Sequence, residues 1–583
     1  MLICGLKLTH DGAIALLDDD RLVFSIEMEK IDNNPRYTSI LDTSLIDKII
    51  KENGYAASDI DHFAIDGWGG TDQDALALQP RLEIGERNNF LQATNGDISY
   101  QLAVAAYKER TTKSNILEEF KFSGLQIGER EYDYSSYLHV TGHVLSAYCT
   151  SPFAGRGESA YVLIWDGGMY PGMYYFDANQ KKITNLGPLF LLIGNIYTIF
   201  SQHFGPFKVK GSFAKDDLSV AGKVMAYIAL GKVRSELYSL FTEIIELHYD
   251  KPMGFANIFA TEFIKRIDGQ HYADEDILCS FHHYLGQLLI NKLQKKINRF
   301  DFGSRNLCMA GGCALNIKWN SAIRECGFFD EVYVPPFPND SGSAIGAACA
   351  KLLNLTGTSS LSWNVYSGPS VKKATAVEGW MEKPCSLQEL AVLLHNSNEP
   401  IVFLNDKAEL GPRALGNRSI LASASSPYMK DILNKIKDRE SYRPVSPICI
   451  EERAAVIFEP GIKDPFMLFD HTVKTGWVNK IPAVIHLDGS ARLQTVNEND
   501  NKIIYELLTE YEKLSGIPLL CNTSANLKGS GFFPDVNSAI QWNQVNYVWS
   551  NYRLYEKTSK LYFGALNKTS FQAQEEIFLP FTT

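Results

Sequence analysis

The first thirty residues, MLICGLKLTHDGAIALLDDDRLVFSIEMEK (Met1–Lys30), decide how the chain begins to fold. LICGLKL is an apolar run that stops at the turn Thr9-His10-Asp11-Gly12. HDGAIALL follows, and the acidic turn Asp18-Asp19-Asp20 leads into RLVFSIEME. Short apolar runs separated by Asp/Gly turns read as a β-meander. Working outward, HFAIDGWGG predicts a strand over His62–Gly70, and Tyr161–Trp165 a strand ending in Asp166-Gly167-Gly168. A strand closed by Asp-Gly thus recurs at Asp11-Gly12, Asp66-Gly67 and Asp166-Gly167. Helices are expected between the strands. Leu138–Tyr148 reads as one, and 274–298 as a long amphipathic one with Asp274, Glu275 and Asp276 at its start, where the helix dipole favours acids. Strand Asn306–Met309, the loop Ala310-Gly311-Gly312-Cys313 and a helix from about Ala314 come next. The loop 335–343 then leads into a small-residue helix, Ala344–Ala350. The class is α/β.

Composition bounds the rest. At roughly 150 residues per domain, 583 residues suggest two to four domains. With 45% hydrophobic and 12% aromatic residues the chain is globular, since a disordered one lacks the apolar area to offset its ordering entropy. A net charge of −11 argues against binding nucleic acid or an anionic membrane, both of which need a cationic surface; it leaves room for a local basic pocket. The apolar stretch Leu186–Phe200 is interrupted by Gly187, Pro188, Gly194 and Asn195 and falls short of the ~20 residues of a spanning helix. The N-terminal apolar run is too short for a signal peptide. Ten scattered cysteines without a CxxC read as reduced thiols of a cytoplasmic protein. A linker is expected at 361–378, dividing a first domain at 1–360 from a second at 379–583; the stretch 405–445 carries eight Lys/Arg against five Asp/Glu.

His139 and His143 stand four apart in LHVTGHVLSAY, which on a helix puts both imidazoles on one face at the spacing of two ligands of one metal. Packing residues or surface residues are the other reading of such a pair. Asp166 at a strand end and Asp340 in FPNDSGSA would complete a set of two imidazoles and two carboxylates, suited to iron, manganese or zinc. Asp166 reads equally as a turn residue and Asp340 as a helix N-cap. Gly311 and Gly312 lie between strand and helix, where a backbone without β-carbons can approach a phosphate. Thr9–Gly12 and Ala221-Gly222-Lys223 are two more candidate phosphate turns. Three such turns are the pattern of the actin-like ATPase superfamily. Farther on, GPRALGNRSILA holds Arg413 and Arg418; Lys437, Arg439, Arg443 and Arg492 follow; and LCNTS ends a strand with Asn522, Thr523 and Ser524. Several guanidinium forks beside small polar groups fit a small dianion, although any one arginine reads also as a surface ion pair.

In order, HDGAIAL, HVTGH, IWDGG, MAGGCALN, FPNDSGSAIGAA, ELGPRALGNRSILA, NKIKDRESYRPVSP, HLDGSARLQTV and IPLLCNTSAN resemble the O-carbamoyltransferases of the nodulation-protein-U type, which include the tobramycin and hydroxymethylcephem carbamoyltransferases of antibiotic biosynthesis. The resemblance covers about 5–545, and its Gly-Pro-Arg-Ala-Leu-Gly-Asn-Arg-Ser block is highly specific.

The resemblance implies an N-terminal actin-like domain (ASKHA, similar to the threonylcarbamoyl-transferring proteins) and a C-terminal YrdC-type α/β domain. It implies that the second domain makes carbamoyl-adenylate from carbamoyl phosphate and ATP with Mg, releasing pyrophosphate, and that the first passes the carbamoyl group to a small-molecule hydroxyl, releasing AMP. On this view His139, His143, Asp166 and Asp340 hold a metal, iron foremost; His10, with Asp11, is the base. Gly311, Gly312, Asn316, Lys223 and Asp340 face the nucleotide, and Arg413, Arg418, Lys437, Arg439, Arg443, Arg492, Asn522, Thr523 and Ser524 bind carbamoyl phosphate. His10 reads also as a turn residue that only positions Asp11. The chain departs from the family at Asn405-Asp-Lys-Ala-Glu409, which lacks an upstream arginine, and at Leu138, where a histidine is more usual. A kinase of the same superfamily predicts ADP as product and gives the arginine-rich half no task. A non-catalytic nucleotide-bound partner predicts lost ligands, and modification of tRNA is disfavoured by the charge. The acceptor (aminoglycoside, β-lactam, macrolide, sugar or alkaloid) and the oligomeric state are not legible; loops 75–130 and 183–215 are expected to shape the acceptor pocket.

Overall fold

The computed structural model describes residues 1–67, 90–107, 109, 111–211, 213–215, 217–248, 255–372, 374–375, 377–561 and 563. The end of the expected strand at 68–70 and the loop 75–89 lie outside them. The chain divides into unit 1, Met1–Pro369 with Leu410–Pro412, and unit 2, Ser370–Glu409 with Arg413–Thr583.

The strands of unit 1 are β1 (Leu2–Lys7), β2 (Ala13–Asp18), β3 (Arg21–Glu27), β4 (His62–Asp66), β5 (Phe90–Asn95), β6 (Ile98–Ala103), β7 (Phe120–Ile127), β8 (Arg130–Tyr137), β9 (Ala160–Ile164), β10 (Gly172–Asp177), β11 (Lys182–Pro188), β12 (Asn306–Ala310) and β13 (Glu331–Tyr333). One sheet runs β3-β2-β1-β4-β8-β7 and a second β11-β10-β9-β12-β13. In the first, β1, β4 and β8 are parallel and the β1–β2–β3 meander antiparallel. The second repeats this, with β9, β12 and β13 parallel and β10 and β11 antiparallel. Unit 1 is therefore an α/β fold in which one five-strand order occurs twice, the first sheet carrying β7 as a sixth strand at its edge. The central strands are buried almost throughout, as continuous apolar runs such as AYVLI require.

After its last strand each half continues into a buried helix, His139–Cys149 in one and Ser343–Thr356 in the other. Their small residues pack with Ile3, Ala64, Val162 and Cys308 in one core. Where a helix was expected from Ala314, the chain makes a short 3₁₀ turn, Gly312–Leu315, and the α-helix starts at Ile317. The reason is Asn316, whose side chain accepts from Trp319 N and caps the later start. Residues expected to form the first part of a linker run beside β3: Leu22 N donates to Ser362 O and Ser25 N to Ser367 O, both at 2.9 Å.

Unit 2 is a mixed sheet of β14 (Trp380–Pro384), β15 (Ile401–Leu404), β16 (Arg418–Ala422), β17 (Ser446–Ile450), β21 (Gln494–Val496), β22 (Leu519–Ser524), β23 (Tyr547–Ser550) and β24 (Arg553–Lys557). Its order is β14-β24-β23-β15-β16-β22-β17-β21. A small sheet of β18 (Phe458–Glu459), β19 (His471–Val473) and β20 (Ser490–Ala491) accompanies it. Leu390 and Leu394 of helix Leu387–Ser397 and Leu508 and Tyr511 of helix Lys502–Ser515 complete its core. Among the described residues no helix is long and apolar enough to cross a membrane.

Candidate active site

In unit 1 the site is built at the ends of strands. His139 opens the helix after β8 and His143 follows one turn later. Asp166 lies just past β9, and Asp340 in the 3₁₀ turn before helix Ser343–Thr356. One ligand atom from each of the four lies within 4.8 Å of every other, and all four residues are buried. Asp340 Oδ1 is 3.6 Å from His139 Nε2 and 3.3 Å from His143 Nε2. Neither ring nitrogen of His143 has a hydrogen-bond partner among the described residues. Buried polar atoms are rarely left so, and a cation would supply the missing partner. The donor set fits a first-row metal.

Gly311 explains how Asp166 is held. Its φ is +87° and an added Cβ would lie 2.4 Å from Trp165 O, so only glycine lets the two strand ends meet. Gly312 N then donates to Asp166 Oδ1 at 2.6 Å. The two helices cross equally closely: a Cβ on Gly346 would stand 1.8 Å from Gly142 O.

His10 stands beside this cluster, about a quarter exposed. Its Nδ1 is 2.9 Å from Asp11 Oδ2, and its Nε2 3.6 Å from Asp340 Oδ2. Asp11 sits at φ +56°, and Asn339 Nδ2 donates to its Oδ1 at 3.0 Å. Two further residues, not singled out from the sequence as site residues, complete the network. Lys7 Nζ reaches Thr9 Oγ1 at 2.7 Å, Asp66 Oδ2 at 3.1 Å and Asp340 Oδ2 at 3.0 Å. Asp66 Oδ2 is 2.9 Å from His139 Nδ1. One sequence signal for Lys7 was its place as the lone charge in LICGLKL; for Asp66 it was the recurring Asp-Gly strand end.

Charge is dense here. Burial alone would push the His139 imidazole down, but Asp66 and Asp340 carry it up to about 9. Burial would raise the Asp340 carboxyl, yet Lys7, His139 and His10 hold it well below the usual range. Of the other residues expected near a nucleotide, Asn316 caps its helix, and Lys223 lies on the short helix Ala221–Tyr227.

In unit 2 the structure gathers Arg413, Arg439, Arg443 and Arg492, all half-buried. Burial and then the charges of Arg413, Arg443 and Arg439 hold the Arg492 guanidinium well below its usual range. Arg492 Nε donates to Ser446 Oγ at 3.0 Å, and Ser446 faces Asn522 across the β17–β22 register. Asn522 Nδ2 donates to Ala414 O at 3.0 Å and to Gln494 Oε1 at 2.9 Å, whereas its buried Oδ1 has no partner among the described residues. Arg439 reaches Thr523 Oγ1 at 3.0 Å and Ser524 Oγ at 3.3 Å. Arg418 and Lys437 are directed differently. Arg418 donates to the carbonyls of Asn405, Asp406 and Asn417, and Lys437 Nζ to Ser524 O, Asn526 O and Asn526 Oδ1.

Comparison with known sequences gives this geometry a family. Residues 2–349 match the family described as carbamoyltransferase N-terminus, and residues 392–553 carbamoyltransferase C-terminus. Nodulation protein U of Rhizobium tropici is 49% identical over 575 residues, covering 96% of each chain. Nodulation protein U of Bradyrhizobium diazoefficiens is 45% identical, over 96% of this chain and 98% of its own. The 3'-hydroxymethylcephem-O-carbamoyltransferase of Streptomyces clavuligerus is 30% identical, over 94% of this chain and 97% of its own. The chain therefore belongs to the carbamoyltransferase family of enzymes.

Proposed function

We propose that the chain is an ATP-dependent O-carbamoyltransferase that works in two steps. In the first, unit 2, read as a YrdC-type domain, makes carbamoyl-adenylate from carbamoyl phosphate and ATP. The balance consumes one water and releases phosphate from the donor and pyrophosphate from ATP. In the second, unit 1, read as actin-like from its repeated sheet order, transfers the carbamoyl group to a hydroxyl of a small natural-product acceptor. The acceptor oxygen attacks the carbamoyl carbon and AMP leaves with the electrons of the broken bond. One relative is named for O-carbamoylating a hydroxymethyl group, which fits an alcohol acceptor.

The observation that carries this reading is the pairing in unit 2 of a guanidinium quartet with an orphan acceptor. The charges of Arg413, Arg443 and Arg439 bear on Arg492, and a dianion bound among the four would offset that like-charge crowding. Asn522 Oδ1, buried and without a partner among the described residues, accepts from an N–H. A phosphate joined to a primary amide offers both. Thr523 and Ser524 bind phosphate oxygens beside Arg439, while Arg418 and Lys437 shape the walls.

In unit 1 the hydroxyl proton goes to His10 Nε2, with Nδ1–H held by Asp11. His139, His143, Asp166 and Asp340 would hold a cation, with iron the leading candidate and manganese or zinc the others; when bound it would supply positive charge to polarise the carbamoyl carbonyl. Gly311, Gly312, Asn316, Lys223 and Asp340 line the nucleotide site, Gly312 through its bare backbone because its N–H belongs to Asp166.

The test is the half-reaction. With ATP and carbamoyl phosphate but no acceptor, the protein forms pyrophosphate, and Arg492→Ala or Arg413→Ala abolishes it. Pyrophosphate release at the wild-type rate in both variants refutes the donor site. ADP as the nucleotide product, with no pyrophosphate, refutes the carbamoyl-adenylate route.

A further inference from the structure

Two buried charged side chains in contact with the His/Asp cluster lie outside every role given above. Lys7 ends β1 and Asp66 ends β4, adjacent parallel strands, and both side chains have zero exposure. A buried ion pair is weak evidence for stability, because apolar replacements often stabilise as well. Its placement says more. Asp340 presents its two oxygens to different neighbours: Oδ1 faces His139 and His143, and Oδ2 faces Lys7 at 3.0 Å. Asp66 contacts His139 through Nδ1, the nitrogen that faces away from Asp340. Lys7 bridges Asp66 Oδ2 and Asp340 Oδ2, so one ammonium joins both arrangements.

We propose that Lys7 and Asp66 are positioning residues for the metal centre. Asp66 accepts the Nδ1 proton of His139, which fixes the ring orientation and turns Nε2 towards Asp340, where a bound cation would take the place of any proton on Nε2. Carboxylates behind ligating histidines do this generally, and removing one typically lowers metal affinity ~10- to 100-fold. Lys7 holds Oδ2 of Asp340 out of the ligand set, so that Asp340 gives a single oxygen. Thr9 Oγ1, 2.7 Å from Nζ, is the third acceptor that keeps the ammonium in place. The proposal rests on the metal reading of His139, His143, Asp166 and Asp340.

The experiment compares purified full-length wild type with Asp66→Ala, Asp66→Asn and Lys7→Met. Each is loaded in turn with Fe(II), Mn(II) and Zn(II). Metal stoichiometry, affinity against a chelator and X-ray absorption of the bound ion are measured, with a thermal melt to check folding. Asp66→Ala is expected to bind ~10- to 100-fold more weakly. Asp66→Asn, whose amide oxygen still accepts from Nδ1–H, recovers part of that loss and keeps the test open if the alanine variant does not fold. Lys7→Met is expected to keep its metal and show one more oxygen in the absorption spectrum, from the released Oδ2. Folded Asp66 variants with wild-type affinity overturn the role of Asp66, and an unchanged spectrum in Lys7→Met overturns that of Lys7. A wild type that binds none of the three ions refutes the metal reading itself, and the positioning pair falls with it.

Discussion

Gly346→Ala tests the frame on which the histidines stand. The added methyl carbon would lie 1.8 Å from Gly142 O, 2.5 Å from Gly142 C and 2.7 Å from Gly142 Cα. All three atoms are main chain, so no rotamer change relieves them. To reach the 3.4 Å of ordinary contact the helices must part by about 1.6 Å. Overpacking of this kind costs about 1–3 kcal/mol and occasionally more; with backbone against backbone we expect the upper end. At ~2 °C per kcal/mol for a large domain, the melting temperature should fall roughly 6 °C. The functional consequence is larger. One helix carries His139 and His143 and the other begins three residues after Asp340, and metal–ligand distances tolerate only about ±0.2 Å. Gly346→Ala should therefore purify without stoichiometric metal. Gly155→Ala is the control: nothing lies within 4 Å of its added Cβ, and it should be neutral or stabilising by up to ~1 kcal/mol. Differential scanning calorimetry and elemental analysis read both effects. A Gly346→Ala protein with wild-type melting and full metal would show that the crossing does not set the ligand geometry.

Two more predictions follow from single residues. His10→Asn should slow carbamoyl transfer by about 100- to 10,000-fold while pyrophosphate formation without acceptor continues; loss of both together would make His10 structural. Burial would raise the Glu119 carboxyl, but hydrogen bonds from Lys351 and Ser135, each 2.6 Å, hold it below the ordinary 4.5. A depressed folded pKa stabilises above the unfolded value and is lost as pH falls through the folded one. The melting temperature of Glu119→Gln should thus lie below wild type at pH 7 and converge with it below 4.5; a gap independent of pH would refute the pairing.

What could be read from the sequence was whatever is local. The β1–β3 meander was legible because its turns are marked by Asp and Gly, and the His139/His143 pair because helical spacing is a property of five consecutive residues. Asp166 and Asp340 stood out through their positions at loop ends. Lys7 did not, because a lone lysine in an apolar run normally ends at solvent; here Asp66, 59 residues on, and Asp340 receive it instead. Arg418 shows the same limit from the other side. Its Gly-rich neighbours suggest an anion, but only coordinates reveal that its donors meet the carbonyls of Asn405, Asp406 and Asn417. The 3₁₀ turn before Ile317 was hidden because Asn316 reads as a capping residue only once its contact with Trp319 N is known.

The repeated sheet order explains why residues so far apart in sequence converge. β1, β4 and β8 are parallel, so their carboxyl ends share one edge of the first sheet; β9, β12 and β13 share one edge of the second. Lys7 ends β1, Asp66 ends β4, His139 lies two residues past β8, Asp166 two past β9, Gly311 directly after β12, and Asp340 in the loop after β13. Ligands of open α/β sheets bind beyond the carboxyl ends of strands, where side chains leave the hydrogen-bonded ladder and helix N-termini point outward. Here two such edges contribute to one cluster of buried charge, held by Lys7 from the first sheet and Asp340 from the second at 3.0 Å. Each half alone supplies an incomplete set: His139 and His143 without carboxylate ligands, or Asp166 and Asp340 without imidazoles. A metal bound there would join the halves, so removing it should loosen their packing as well as stop transfer. Amide exchange in helices His139–Cys149 and Ser343–Thr356 should quicken together on chelation; exchange that changes in neither helix would mean that the cluster is held by Lys7 and the sheet edges alone.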